Sequence, residues 1–319
     1  MKKLAALLAL SLGIALPARA AVTYASLGAA GNTNAFIFGN VNTNGGHADG
    51  SIVVNGNWSG NYYEVRQHNN TPLPTAPFAN NTALYIGGSN NVSNYIRTLS
   101  GDAYIAGDKN PIQNNGGGHT YTASYDLAPT IANLKKLSTD LSLLSSTQMV
   151  INDPNNVKVN TASIAGNLKV YTIDGSLLGG GKTLDFLNSS SSDTIVVNVT
   201  GASVNWGWSN NYDASRILWN FVDATSISIN DREFRGTILA PKATVNQGNA
   251  NINGTLIAQN WNNTGSNELH SHTFTGTVPL PSPAPPVIPV AAPEPAGMMT
   301  MGGFLALALC SRRRQTVRL

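Results

Sequence analysis

The chain has 319 residues, 42% hydrophobic and only 11% charged, with 31 glycines and a formal charge of +3. Seven of its 19 basic residues lie in 1–20 or 312–319, so residues 21–311 hold twelve basic against sixteen acidic residues, a net charge of −4 that gives no support to a nucleic-acid or anionic-membrane surface. The single cysteine, Cys310, leaves the body of the protein without a disulfide, so burial and backbone pairing must hold it together.

In chain order, Met1-Lys2-Lys3, the apolar run Leu4 to Leu16, Pro17 and Ala18-Arg19-Ala20 have the three-part layout of a secretory signal peptide. Segment 1–20 is expected to be removed by signal peptidase at the Ala18/Ala20 motif. Residues 21–278 then form one domain, long enough for a substantial core. Within it a tetrad recurs: Ile37-Phe-Gly-Asn40, Val54-Asn-Gly-Asn57, Ile86-Gly-Gly-Ser89, Ile105-Ala-Gly-Asp108 and Ile164-Ala-Gly-Asn167. Each reads as a short strand ending at a glycine turn. Ile86 and Ile105 are 19 residues apart, and Gly236-Thr-Ile-Leu-Ala240 returns as Gly254-Thr-Leu-Ile-Ala258 after 18.

Both intervals suit one coil of an all-β, right-handed parallel β-solenoid, in which Ile, Val, Leu and Ala face inward and Asn ladders at the corners. A β-sandwich also has short, evenly spaced strands, but it needs mostly hairpin turns, whereas these units repeat in one orientation. Between the two repeat sets, Leu127, Ile131, Leu134, Leu137, Leu141 and Leu144 make one helical stripe after an N-cap at Asp126. The spacing predicts a helix along the solenoid, leucines buried, with Ser138, Thr139 and Ser142 facing away.

Residues 279–292 are a proline-rich spacer. Residues 293–319 follow as Pro293-Glu294-Pro295, an apolar stretch from Ala296 to Cys310, and Arg312-Arg313-Arg314. The apolar stretch is shorter than the roughly 20 residues of a comfortable membrane helix, which suggests a transient anchor with its arginines on the cytoplasmic side. These three ordered elements resemble the PEP-CTERM sorting signal of Gram-negative bacteria. The resemblance implies an exosortase-type sorting protease as partner, brief inner-membrane anchoring, and delivery to the cell envelope, outer surface or extracellular matrix.

Ala35-Phe-Ile-Phe-Gly-Asn40, Ile217-Leu-Trp-Asn-Phe221, Asp223-Ala-Thr225, Gly236 to Ala243, Ile252-Asn-Gly254 and Glu268-Leu-His270 through Phe274-Thr-Gly276 resemble the choice-of-anchor A domain. That family occurs with different C-terminal anchors, and some members resemble collagen-binding adhesins. The closing pair of repeats is also similar to bacterial ice-binding β-solenoids, which likewise lay a helix along the coil. Neither resemblance supplies a catalytic motif.

For chemistry, Trp206 and Trp208 alternate on a strand beside Asn210, Asn211 and Tyr212, an arrangement that suits stacking on sugars or peptides if it is exposed, or packing under the helix or a loop if it is not. Trp206, Trp208, Asn210 and Tyr212 are the candidate ligand-binding set. His270 and His272 share a strand face with Glu268 but lack an evident fourth ligand, and a polar strand edge is expected there instead of a metal. Asp49, Asp102, Asp108, Asp174 and Asp185 mostly neighbour Gly or Asn, as turn-forming Asp does. Gly179-Gly180-Gly181-Lys182-Thr183 lacks phosphate-loop spacing. The expectation is a secreted, surface-anchored, non-enzymatic protein that binds an extracellular polysaccharide or matrix protein and needs no cofactor, metal or nucleic acid. A structural envelope component, an ice-binding protein and a polysaccharide-acting enzyme are the alternatives.

Overall fold

The computed structural model describes residues 23–280 except Pro111 and Asn152, so the signal segment, nearly all of the spacer and the tail lie outside the described residues. A long sheet of parallel strands winds into a solenoid, which decides against the sandwich: every pairing within it is parallel. Among the described residues the one antiparallel pair joins Thr23–Tyr24 to Pro279–Leu280.

Short β-branched strands interrupted by glycine or asparagine build each coil, because alternate side chains point inward and the residues between them point out. The repeats stack as expected. Ile37 pairs with Val54, Val54 with Ile86, and Ile86 with Ile105. Gly236–Ala240 lies on Gly254–Ala258, with Ile238 against Leu256 and Ala240 against Ala258. Ile164-Ala-Gly-Asn167 is the exception. It forms the turn before Leu168–Asp174 and joins no column, because Ile164 caps a short 3-10 helix.

The coils do not follow chain order. Leu256–Asn263, from the end of the domain, pairs with Ala35–Ile37 and Val41–Thr43 from its start. The chain therefore starts mid-solenoid, climbs to Thr120–Thr122 at one end, and continues from Thr147–Gln148 at the other. It then winds back until residues 256–270 close on residues 35–48.

The helix, α1 (Ala128–Ser142), bridges the two halves. The N-cap falls at Leu127, one residue later than expected and without a side-chain cap, and Asp126 just before it accepts from Ala128 N at 3.0 Å. Leu134, Leu137 and Leu141 pack on Phe36, Val53, Leu218, Leu239 and Ile257, an apolar layer outside the sheet and separate from the solenoid interior. Ser138 departs from expectation: it is 1% exposed and faces the sheet, where its hydroxyl donates to Asn220 Oδ1 at 2.6 Å. Asn220 Nδ2 donates to Ser138 O and to Asn198 Oδ1, both at 2.8 Å, and Asn198 Nδ2 donates to Leu141 O at 2.9 Å. Two asparagines in register on successive coils thus tie the helix down.

Candidate functional site

Of the outward sides of the coil, one lies under the helix and one is open and neutral. On the open side a large apolar residue points in and the next, small and polar, points out, as in Val204-Asn205, Ile227-Ser228, Val245-Asn246, Trp261-Asn262, Val41-Asn42 and Trp58-Ser59. The register lines these outward residues into a column: Asn205, Ser228, Asn246, Asn262, Asn42, Ser59 and Asn91. Seven coils at ~4.8 Å give a strip about 29 Å long.

A second column runs beside it through Ser203, Ser226, Thr244 and Asn260, and continues at the corner through Asn40, Asn57 and Ser89. Along one strand the two columns are separated by about 6.6 Å. Every side chain in these two sets of seven is a neutral amide or hydroxyl, and the next rung of the corner ladder is the exposed Asp108.

Backbone and side-chain bonds tie successive coils together along this face. At the corner, Asn40 N donates to Asn260 Oδ1 (2.9 Å), Asn57 N to Asn40 Oδ1 (2.9 Å), Ser89 N to Asn57 Oδ1 (2.8 Å) and Asp108 N to Ser89 Oγ (3.1 Å). Asn40, Asn57 and Ser89 are the last residues of recurring tetrads and form the corner ladder anticipated from sequence, which Asn260 extends by one more rung. Within the columns, Asn262 Nδ2 donates to Asn246 Oδ1 at 2.9 Å and Asn260 Nδ2 to Thr244 Oγ1 at 3.3 Å. A shallow groove between the columns is lined by Asn40, Asn42, Ser59, Thr244, Asn260 and Asn262. Such a surface offers paired donors and acceptors to a neutral ligand at low desolvation cost compared with charges.

The tryptophans proposed from sequence are not part of it. Trp206 and Trp208 do share a side, but that side is the interior: they are 2% and 0% exposed, and Asn210 is 2% exposed. Trp206 packs edge-on to Trp219 at 4.9 Å and against Phe234 at 4.3 Å, while Trp208 Nε1 donates to Gly179 O at 3.3 Å. Alternation brought them to one face, and burial of two indoles made that face the core. Tyr212 is half-buried, its hydroxyl donating to Asp193 O at 2.9 Å, and burial pushes its phenol up to about 12.

A further outward side carries charge. Glu268 and His270 sit on the strand edge as expected, but His272 does not join them; His47, from the adjacent coil, does. His47 lies more than 200 residues away in sequence, so no local pattern could reveal it. Of the acidic residues singled out, Asp174 serves a turn, accepting from Ser176 N, whereas Asp102 opens a strand and accepts across coils from His119 N and Asn81 Nδ2, and Asp185 lies within the strand Thr183–Leu187.

Among solved structures, the chain is similar to an ice-binding protein from an Antarctic biological consortium, with 13% identity over 80% of this chain and 95% of that one and a TM-score of 0.43. It is similar to one from the Antarctic ascomycete Antarctomyces psychrotrophicus, with 17% identity over 78% and 98% and a TM-score of 0.38. A third, from Shewanella frigidimarina, shows 14% identity over 77% and 97% and a TM-score of 0.38. No curated protein sequence matches. The profile of the ice-binding-like adhesive domain matches residues 26–271, and over that span the chain belongs to this adhesive-domain family.

Proposed function

We propose that this is an exported, non-enzymatic adhesin whose neutral amide face binds a hydroxyl-rich extracellular polysaccharide. The observation that carries the reading is the seven-coil column from Asn205 to Asn91, with its parallel neighbour and no charge in either. Amides can donate and accept in the same plane, so they match hydroxyls without regard to direction. A long strip also engages many weak contacts at once along an extended chain. Signal peptidase and an exosortase-type sorting protease are the processing partners that segments 1–20 and 293–319 suggest, and the cell surface or its matrix is the destination.

Ice is the second reading, favoured by the regular one-strand spacing of outward residues on the same face. Thr244 is the sole threonine in the two columns, whereas Thr237 and Thr255 are buried, so a repeated threonine array is missing from this face.

Binding of the purified protein to neutral and anionic polysaccharides, collagen and ice tests the proposal, with an Asn42→Lys, Asn262→Lys variant alongside. Two ammonium groups in the centre of the strip should weaken binding to a neutral glycan by about tenfold or more, a loss near 1.4 kcal/mol. Unchanged glycan binding by the variant would remove this face from the function. Loss of ice binding with no glycan binding in either form would select the second reading.

A further inference from the structure

We infer that His47, Glu268 and His270 form a binding site for a divalent transition-metal ion, with Zn2+ the best match, and that the ion bridges the junction where the end of the domain closes on its beginning. Nothing in the adhesive reading requires such a site, and it lies on the charged side of the coil.

Glu268 and His270 are alternate residues of one strand edge, so both project outward, and His47 projects beside Glu268 from the next coil because Leu269 pairs with Ala48. His47 Nδ1 lies 3.5 Å from Glu268 Oε1, and His270 Nε2 lies 2.8 Å from Glu268 Oε2. Their ligand atoms all fall within 4.8 Å of one another. Tetrahedral zinc with bonds of about 2.0–2.2 Å needs ligand separations near 3.3 Å, which small rotations of these half-buried side chains supply. Two imidazoles and one carboxylate suit zinc and its first-row neighbours, whereas calcium takes six to eight oxygens.

A second observation fixes the protons. Asn253 is 5% exposed, and its Nδ2 donates to Glu233 Oε1 at 2.6 Å. The amide can only be oriented this way, since a carboxylate offers no proton to Oδ1. Asn253 Oδ1 therefore faces His270 Nδ1 at 2.6 Å, and Nδ1 must carry the proton. The Nε2 lone pair is thereby directed at the Glu268 carboxylate. At 2.8 Å the pair is spaced as a hydrogen bond with a proton between ring and carboxylate, and a metal ion would take that proton's place once the two ligands part to about 3.3 Å. The carboxylate–amide–imidazole chain behind the ligand is the outer-shell arrangement that orients metal-binding histidine.

The position gives the ion a structural consequence. Its ligands come from residues 47 and 268–270, so it would clasp the seam between coils that the chain closes last, and binding would stabilise the folded state by mass action. The solvent-facing side leaves a coordination position open.

The test is calorimetric titration of the EDTA-stripped full chain with Zn2+, paired with thermal unfolding and the visible spectrum of the Co2+ form. One ion should bind, raise Tm, and give a tetrahedral or five-coordinate cobalt spectrum. His47→Gln and His270→Gln should each abolish tight binding while preserving the apo-protein's circular dichroism. Asn253→Ala should weaken it by 10- to 100-fold, and His119→Ala should leave it unchanged. Absence of stoichiometric uptake, or uptake that survives the His47→Gln, His270→Gln double variant, would overturn the site and leave a His270–Glu268 ion pair. Glycan binding is read on the other face and is unaffected by either result.

Discussion

Replacing Asn220 with leucine isolates the polar clamp between helix and sheet. Leucine keeps asparagine's branched skeleton with somewhat bulkier methyl ends, so no cavity is made and the change falls mainly on hydrogen bonding, with a smaller overpacking cost. Asn220 is 0% exposed and makes three bonds, one from Ser138 Oγ and one each to Ser138 O and Asn198 Oδ1. The variant strands the Ser138 hydroxyl and the Asn198 carbonyl in an apolar layer, at about 1–3 kcal/mol for each buried group left unpaired. The expected loss is on the order of 3–5 kcal/mol, read from urea unfolding of the full chain by circular dichroism. Adding Ser138→Ala removes one stranded group, so the double variant should be less destabilised than the sum of the singles by about 1–2 kcal/mol. An Asn220→Leu protein within about 0.5 kcal/mol of the parent, or strict additivity with Ser138→Ala, would refute the clamp.

Coil stacking makes its own demand at Gly254, where φ is +151° and an added Cβ would meet Gly236 O at 2.1 Å. Gly254→Ala should cost roughly 2 kcal/mol or more, whereas Gly117→Ala, with φ +84° and open space around it, should cost only about 1 kcal/mol by chemical denaturation. Alkaline stability is set by buried phenols: burial pushes Tyr171 and Tyr212 up to about 12 from the ordinary 10.0, and Tyr63 well above it. Folding favours the neutral phenol, so this contribution is complete below pH 10.0 and lost as pH rises towards about 12. The last portion of the tyrosinate absorbance at 295 nm should rise together with loss of circular dichroism in that window; ionisation of all ten tyrosines below it in a still-folded protein would contradict the reasoning.

The coil was legible in the sequence because its rule is local. A strand residue points in or out by parity, glycine or asparagine turns the corner, and two of the repeats return after 18 and 19 residues, although other coils are as short as 17 or as long as 32. The helix was legible for the same reason, its leucine spacing being one stripe. Parity without depth misled at Trp206 and Trp208: it gave a shared face but not whether that face met water. Ser138 failed likewise, since a hydroxyl on a helix reads as exposed until a partner such as Asn220 is placed opposite it.

Sequence alone therefore determined the repeating unit, the absence of disulfide support in the body, the corner asparagines and the helix. Tertiary structure decided the order in which units stack. Parallel strand edges are satisfied by any coil in register, so nothing local tells residues 35–37 to lie on residues 256–258, and only closure of the whole chain fixes it. The same closure aligned Asn262 with Asn42 into one uninterrupted face and set His47 beside Glu268. Both candidate sites straddle that seam, where residues more than 200 apart in the chain become neighbours at the spacing of a single strand pair.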